Sequence, residues 1–130
     1  MRHLLTGLAL LAALCSSFAG SLQAAKDGLV RPAARLELLV LEIETCDICG
    51  LVRQRILPRY ELSAHARTVP MRFIDITRLD ETKLGLSSMV DTLPTIVLMR
   101  DGQEVERFIG YMGPENFLRS LSHLLRSQGE

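Results

Sequence analysis

The sequence predicts an α/β fold, with one central mixed β-sheet built in the order β-α-β and then β-β-α and flanked by helices. Three observations carry this reading. Leu36-Glu37-Leu38-Leu39-Val40-Leu41-Glu42-Ile43 is almost continuously apolar, the pattern of a strand buried on both faces. A helical stretch and then a second strand-like run follow it, which makes the first two strands parallel neighbours joined by a crossover. Further on, Asp101-Gly102 is a strong turn signal that joins two more strands as an antiparallel hairpin.

Lys26 to Arg35 carries Gly28 and Pro32 and reads as an irregular entry segment. Leu36 to Ile43 is the first strand. Leu51, Val52, Ile56 and Leu57 then recur at helical spacing, and Pro58, which lacks an N–H, is expected to end or kink that helix. Val69 to Ile76 reads as the second strand, with Pro70 tolerable only near its start. Asp80 to Leu86 reads as a short helix or turn. Thr95 to Arg100 is the third strand and Gln103 to Ile109 its hairpin partner. Pro114 opens the last helix, whose Phe117, Leu118, Leu121, Leu124 and Leu125 form an apolar face. The crossover helix and the C-terminal helix are expected to cover the two faces of the sheet.

The chain of 130 residues has the length of a single domain, and 48% hydrophobic residues suffice for a packed core. Basic and acidic residues balance at 15 each, with the basic ones scattered rather than clustered. That balance excludes the electrostatic footprint of a nucleic-acid binder. The chain is expected to act as a monomer.

The N-terminus has the features of an export signal. Arg2 and His3 precede an apolar run from Leu4 to Leu14, and small residues such as Ser17, Ala19, Ala24 and Ala25 follow. Eleven apolar-rich residues span only about 16 Å as a helix, too short to cross a bilayer comfortably. Residues 1–25 are therefore read as a signal peptide cleaved somewhere in 19–25, leaving residues 26–130 as a periplasmic domain. Cys15 raises a lipoprotein alternative, but Leu14 precedes it where small residues are wanted, so it is expected to leave with the signal. A membrane anchor is the remaining alternative.

The mature chain would then keep two cysteines, Cys46 and Cys49, in a compartment where disulfides persist. A lone Cys-x-x-Cys serves zinc sites, structural disulfides and redox centres alike. Its place here, between a buried strand and the first turn of a helix, favours redox chemistry. Backbone N–H groups at a helix N-terminus stabilise an anion, and the thiolate is the nucleophile. Cys46 would attack a partner disulfide, and Cys49, one turn on, would resolve the mixed disulfide. Zinc would need two more ligands, and His65 and His123 lie in unrelated elements. No metal site is therefore assigned. Copper stays open as an alternative, because Met71, Met89, Met99 and Met112 are soft ligands, although methionines in apolar runs usually fill cores. A structural disulfide closing so short a loop would add little stability.

These residues resemble the thioredoxin superfamily from Leu36 to Leu125. The likeness rests on Cys46-x-x-Cys49 after a hydrophobic strand, Leu93-Pro94-Thr95 before the hairpin, Asp101-Gly102 in its turn, Gly110 at its close and the Phe117–Leu125 helix. More narrowly, the chain is similar to the small periplasmic thioredoxins of bacterial sulfur-oxidation (Sox) systems, sharing Pro58, Val97-Leu98-Met99 and Gly110-Tyr111. The resemblance implies a thiol:disulfide oxidoreductase with no cofactor beyond the Cys46–Cys49 pair. It implies a cis Leu93–Pro94 bond bordering a substrate groove, with Asp47, Ile48, Leu93, Pro94 and Tyr111 contacting substrate. The implied partners are protein thiols and disulfides, among them a sulfur-carrier protein whose thiol is kept reduced, and a membrane electron donor. An oxidoreductase for cytochrome maturation, or a copper chaperone using the same pair, are the alternatives.

The chain departs from typical thioredoxins at several positions. It has no Trp, and Thr45 precedes the first cysteine where Trp is usual. Val40 occupies the place of a buried carboxylate that often handles the resolving cysteine's proton. Glu42 and Glu44 lie closer to the pair and could substitute, although a solvated strand end is the expected role. Asp47 and Ile48 replace the usual Gly and Pro. Tyr111 and Met112 are expected near the groove, Tyr60 and Phe73 in the core, and Arg53 and Arg55 on the solvent face of the first helix.

Overall fold

A computed structural model describes residues 33–129. The signal peptide, its cleavage site, Cys15 and most of the entry segment lie outside the described residues. Strands β1 (Leu36–Glu42), β2 (Met71–Asp75), β3 (Thr95–Arg100) and β4 (Gln103–Ile109) form one sheet in the order β2-β1-β3-β4. Strand β1 pairs with β2 in parallel and with β3 antiparallel, and β3 and β4 form the hairpin. The thioredoxin-like α/β architecture expected from the sequence is thus present.

Alternation along the two central strands divides the core. Leu36, Leu38 and Val40 of β1 and Ile96 and Leu98 of β3 point to one face, where they meet Val52, Ile56, Tyr60, Phe117 and Leu121. Leu39, Leu41, Val97 and Met99 point to the other. Both faces are covered, which is why β1 and β3 read as unbroken apolar runs.

The coverings differ from the expectation of one helix per face. The crossover helix and α3 (Pro114–Ser127) both pack on the first face, with Phe117 in edge contact with Tyr60 and Phe108, ring centroids 6.3 and 5.5 Å apart. The second face is closed by the connection from Ile76 to Leu93, which contributes Ile76, Leu84, Leu86, Val90 and Leu93. That connection holds only two 3-10 turns, Ile76–Arg78 and Glu81–Lys83, opened by Asp75 and Asp80, whose carboxylates accept from the N–H of Thr77 and Thr82. Its apolar residues lack the repeated helical spacing of α3.

Of the two effects expected of Pro58, it distorts the crossover helix and does not end it. The helical run continues from α1 (Asp47–Leu51) through a wide π-type turn (Val52–Ile56) into α2 (Leu57–Glu61). The Leu57 N–H reaches back five residues to the Val52 carbonyl. A proline inside a helix removes one bond and crowds the carbonyl four residues earlier, and the widened turn just before Pro58 accommodates both. Pro70 stands immediately before β2 and offers its carbonyl to the Leu38 N–H at 2.8 Å.

The connection over the second face is pinned to the hairpin. Glu104 receives Arg107 Nε and Nη2 at 2.6 Å each and the Ser87 N–H at 2.7 Å, and Arg107 also donates to the Ser88 carbonyl. Arg107 holds the Glu104 carboxyl far below its ordinary 4.5, at about 2. Beside it, Gly85 adopts φ +72° against the Gly102 carbonyl, and a β-carbon there would lie 2.1 Å from that oxygen.

Two predictions follow from this pinning. Gly85→Ala should lose about 2–4 kcal/mol in urea unfolding, from left-handed strain and the backbone clash together. Since folding lowers the Glu104 value, its ion pair stabilises the fold fully above pH 4.5 and fades as pH falls toward 2. Stability should therefore fall more steeply over that window in the wild type than in Glu104→Gln, as read by denaturation midpoints at successive pH values.

Candidate active site

The central strand sets the site. Strand β1 ends at Glu42, and a tight turn in which the Cys46 N–H donates to the Ile43 carbonyl at 3.2 Å starts the helix at once. Cys46 is the N-cap of α1. Its sulfur accepts from the Cys49 N–H at 3.2 Å, so a helix-terminal donor is aimed at Sγ. The two cysteines are joined as a disulfide, with their α-carbons 5.3 Å apart. Their exposures differ sharply. Cys49 is 1% exposed, while Cys46 is half-buried and reachable from solvent.

The antiparallel register brings the second part of the site to the same end of the sheet. Leu41 pairs with Thr95, so β3 begins beside the end of β1 and Pro94 comes to the end of the sheet from which the redox turn leaves. The Leu93–Pro94 bond is cis. Thr95 also pairs with Ile109, and the Gly110 N–H donates to the Pro94 carbonyl at 2.8 Å, which fixes the end of β4 there as well.

Among the residues singled out from sequence, Asp47 and Ile48 are exposed between the cysteines, Ile48 at 49%. Pro94 is buried, and Leu93 packs half-buried against the second core cluster. Tyr111 is half-buried, packs against the first core cluster and lines a groove with Gln54 and Arg55. Ile109, 58% exposed, adds an apolar side chain at the same end. Sequence reading missed it because a strand's last outward residue has no distinguishing pattern.

Two charged residues have roles other than those expected. The Glu42 side chain is not a solvated strand end, being only 13% exposed and ion-paired with Arg53 Nη2. Arg53 is correspondingly more than solvating charge, because its guanidinium lies 3.9 Å from the Phe73 ring centroid. The pair spans β1, β2 and the helix beneath the redox turn. No short-range motif couples Glu42 to Arg53, so only the fold reveals it. Glu44 is exposed and faces Arg78 at 3.6 Å, and Val40 is fully buried in the core.

Among the described residues no group of three or more His, Cys, Asp or Glu is disposed to hold a metal ion, and no helix is long and apolar enough to cross a membrane. Met71, Met99 and Met112 pack into the core clusters, whereas Met89 is exposed.

Among solved structures, the periplasmic thioredoxin SoxS from Paracoccus pantotrophus, in its reduced form, is 32% identical over 73% of this chain and 99% of its own, with a TM-score of 0.64. The chain belongs to the thioredoxin superfamily. A thioredoxin from Malassezia sympodialis (13% identical, 68% of this chain and 76% of its own, TM-score 0.57) shares the fold. So does one from Fasciola hepatica (24% identical, 68% and 80%, TM-score 0.51). No family model and no curated protein matches the chain.

As a thioredoxin, the protein is a thiol:disulfide oxidoreductase that exchanges with protein thiols and disulfides. In the reducing direction the Cys46 thiolate bonds to one sulfur of the partner's disulfide and the other leaves as a thiolate. Cys49 then bonds to Cys46, and the partner sulfur that Cys46 held is released as a thiol. Two electrons pass from the dithiol to the partner, and the Cys46–Cys49 disulfide remains. With Cys49 buried and Cys46 partly exposed, Cys46 is the expected attacking sulfur. In the reduced protein, iodoacetamide should therefore modify Cys46 at least about tenfold faster than Cys49, as mapped by mass spectrometry of partly alkylated protein. Faster labelling of Cys49 would reverse the two roles.

Proposed function

We propose that the protein is exported to the periplasm and there keeps the thiol of a sulfur-oxidation carrier protein in its reduced, active form. The observation that carries this reading is the 32% identity with the periplasmic thioredoxin SoxS across 99% of that chain. The basic, then apolar, then small-residue order of residues 1–25 supports export, with cleavage in 19–25 freeing the domain of residues 26–130. The protein works as a monomer, takes electrons from a membrane donor and needs no cofactor other than its cysteine pair.

The partner's cysteine approaches in an extended segment laid beside Pro94, with Asp47, Ile48, Leu93 and Tyr111 contacting it. Ile48 and Ile109 supply exposed apolar surface for this segment at the end of the sheet that carries Cys46. Cys46 attacks and Cys49 resolves.

Trapping tests the reading. Cys49→Ser, expressed in the periplasm and quenched in acid, should accumulate a mixed disulfide between Cys46 and a sulfur-carrier protein, visible on non-reducing gels. Cys46→Ser should trap nothing. Capture of cytochrome-maturation proteins instead would keep the exchange chemistry and reject the sulfur-oxidation role. An absence of adducts together with stoichiometric Cu(I) uptake by the wild type would favour the copper chaperone.

A further inference from the structure

A groove between the crossover helix and the start of α3 holds charge that thiol exchange does not use. Gln54, Arg55 and Arg59 of the crossover helix face Tyr111 and Glu115 across a cavity of about 480 Å³. Arg59 and Glu115 neutralise each other, Nη1 to Oε1 2.8 Å. Arg55 is exposed and has no ion-pair partner among the described residues, so the groove is left with one net positive charge.

Both walls lead back to the redox pair. Gln54 Nε2 lies 3.6 Å from where a β-carbon on Gly50 would stand, and Gly50 is one turn beyond Cys46. Tyr111 follows Gly110, whose N–H is bonded to the Pro94 carbonyl. Arg55 stands nine positions beyond Cys46, about 13 Å along a helix axis. An extended polypeptide covers that distance in about four residues.

We propose that this groove is a specificity subsite for an acidic side chain of the bound polypeptide, an Asp or Glu about four residues from the cysteine that Cys46 attacks. The proposal rests on the exchange chemistry of Cys46 and Cys49 and adds a preference to it. A guanidinium matches a carboxylate in shape and charge, and the Gln54 amide and Tyr111 hydroxyl add donors to the same lining. Because Arg55 is exposed, the effect is moderate, on the order of fivefold.

Three synthetic peptide disulfide homodimers test this, identical except for Asp, Asn or Lys four residues to either side of the cysteine. Their second-order rates of reduction by the pre-reduced protein are compared at low ionic strength. The wild type should reduce the Asp peptide about fivefold faster than the Lys peptide, with Asn between. Arg55→Glu should invert that order. Arg119→Glu, an equal charge change on α3, should leave it as in the wild type. Equal rates for the three peptides, an order unchanged in Arg55→Glu, or inversion by Arg119→Glu would each overturn the subsite. Failure of the wild type to reduce any peptide would remove the exchange chemistry and the subsite with it.

Discussion

Strand β1 is hydrogen-bonded along both edges and covered on both faces, and the redox turn is attached directly to its end. Leu38, Val40 and Leu41 are fully buried. Burial of such side chains stabilises the fold by about 1.5–3 kcal/mol each. A one-residue slip of β1 would exchange its two faces and carry Cys46 with it. The antiparallel partner β3 begins where β1 ends, so the same register that packs the core also brings Pro94 to the end of the sheet from which the redox turn leaves. The active site thereby inherits its precision from a strand, while the loops supply only its rim.

The second face of the sheet depends on a different device. No long helix covers it among the described residues; a connection with two 3-10 turns does so, held by a few apolar anchors and by polar ties at its rim. Glu104 and Arg107 are placed for this by an irregularity in β4, where the register shifts between Leu98 and Met99 and Val105 enters as an extra residue. The shift lets Val105 pack with the helix-side core while Glu104 and Arg107 reach the Ser87–Ser88 backbone. Because this connection runs straight into Pro94, the ties that close the second face also fix the approach to the site.

Much of this was legible in the sequence, for reasons that differ by element. Strands β1 and β3 were readable because burial on both faces leaves an unbroken apolar run, and α3 because one apolar face alternates with polar residues. The cysteine pair was readable from its place between strand and helix. The failures share a cause, which is that they depend on contacts distant in sequence. Pro58 is expected to end or kink a helix, and which of the two happens depends on Val52, Ile56 and Tyr60 packing in the core shared with α3, so that the helix runs on through a widened turn. Which face each helix covers is decided by the handedness of two connections, and apolar spacing does not encode it. Glu42 and Arg53 each look like surface charge until β2 brings Phe73 beneath the guanidinium.

Charge balance has a consequence for how partners are chosen. With 15 basic and 15 acidic residues, of which export would remove only Arg2, the chain has too little net charge at pH 7 to draw a partner from a distance. Selection must then act at contact, within a few residues of Cys46. There the chain exposes side chains that its own packing does not require. Ile48 stands between the cysteines at 49% exposure, and Ile109 stands beside the Pro94 turn at 58%. Two apolar side chains that stay in water at this end of the sheet cost the free protein little and gain only when something covers them. Arg53, by contrast, is held by Glu42 and Phe73, so its charge is already committed to the scaffold. The division is physical: the charges of Glu42 and Arg53 beneath the redox turn are paired and structural, whereas the apolar rim and the guanidinium of Arg55, without an ion-pair partner among the described residues, face solvent.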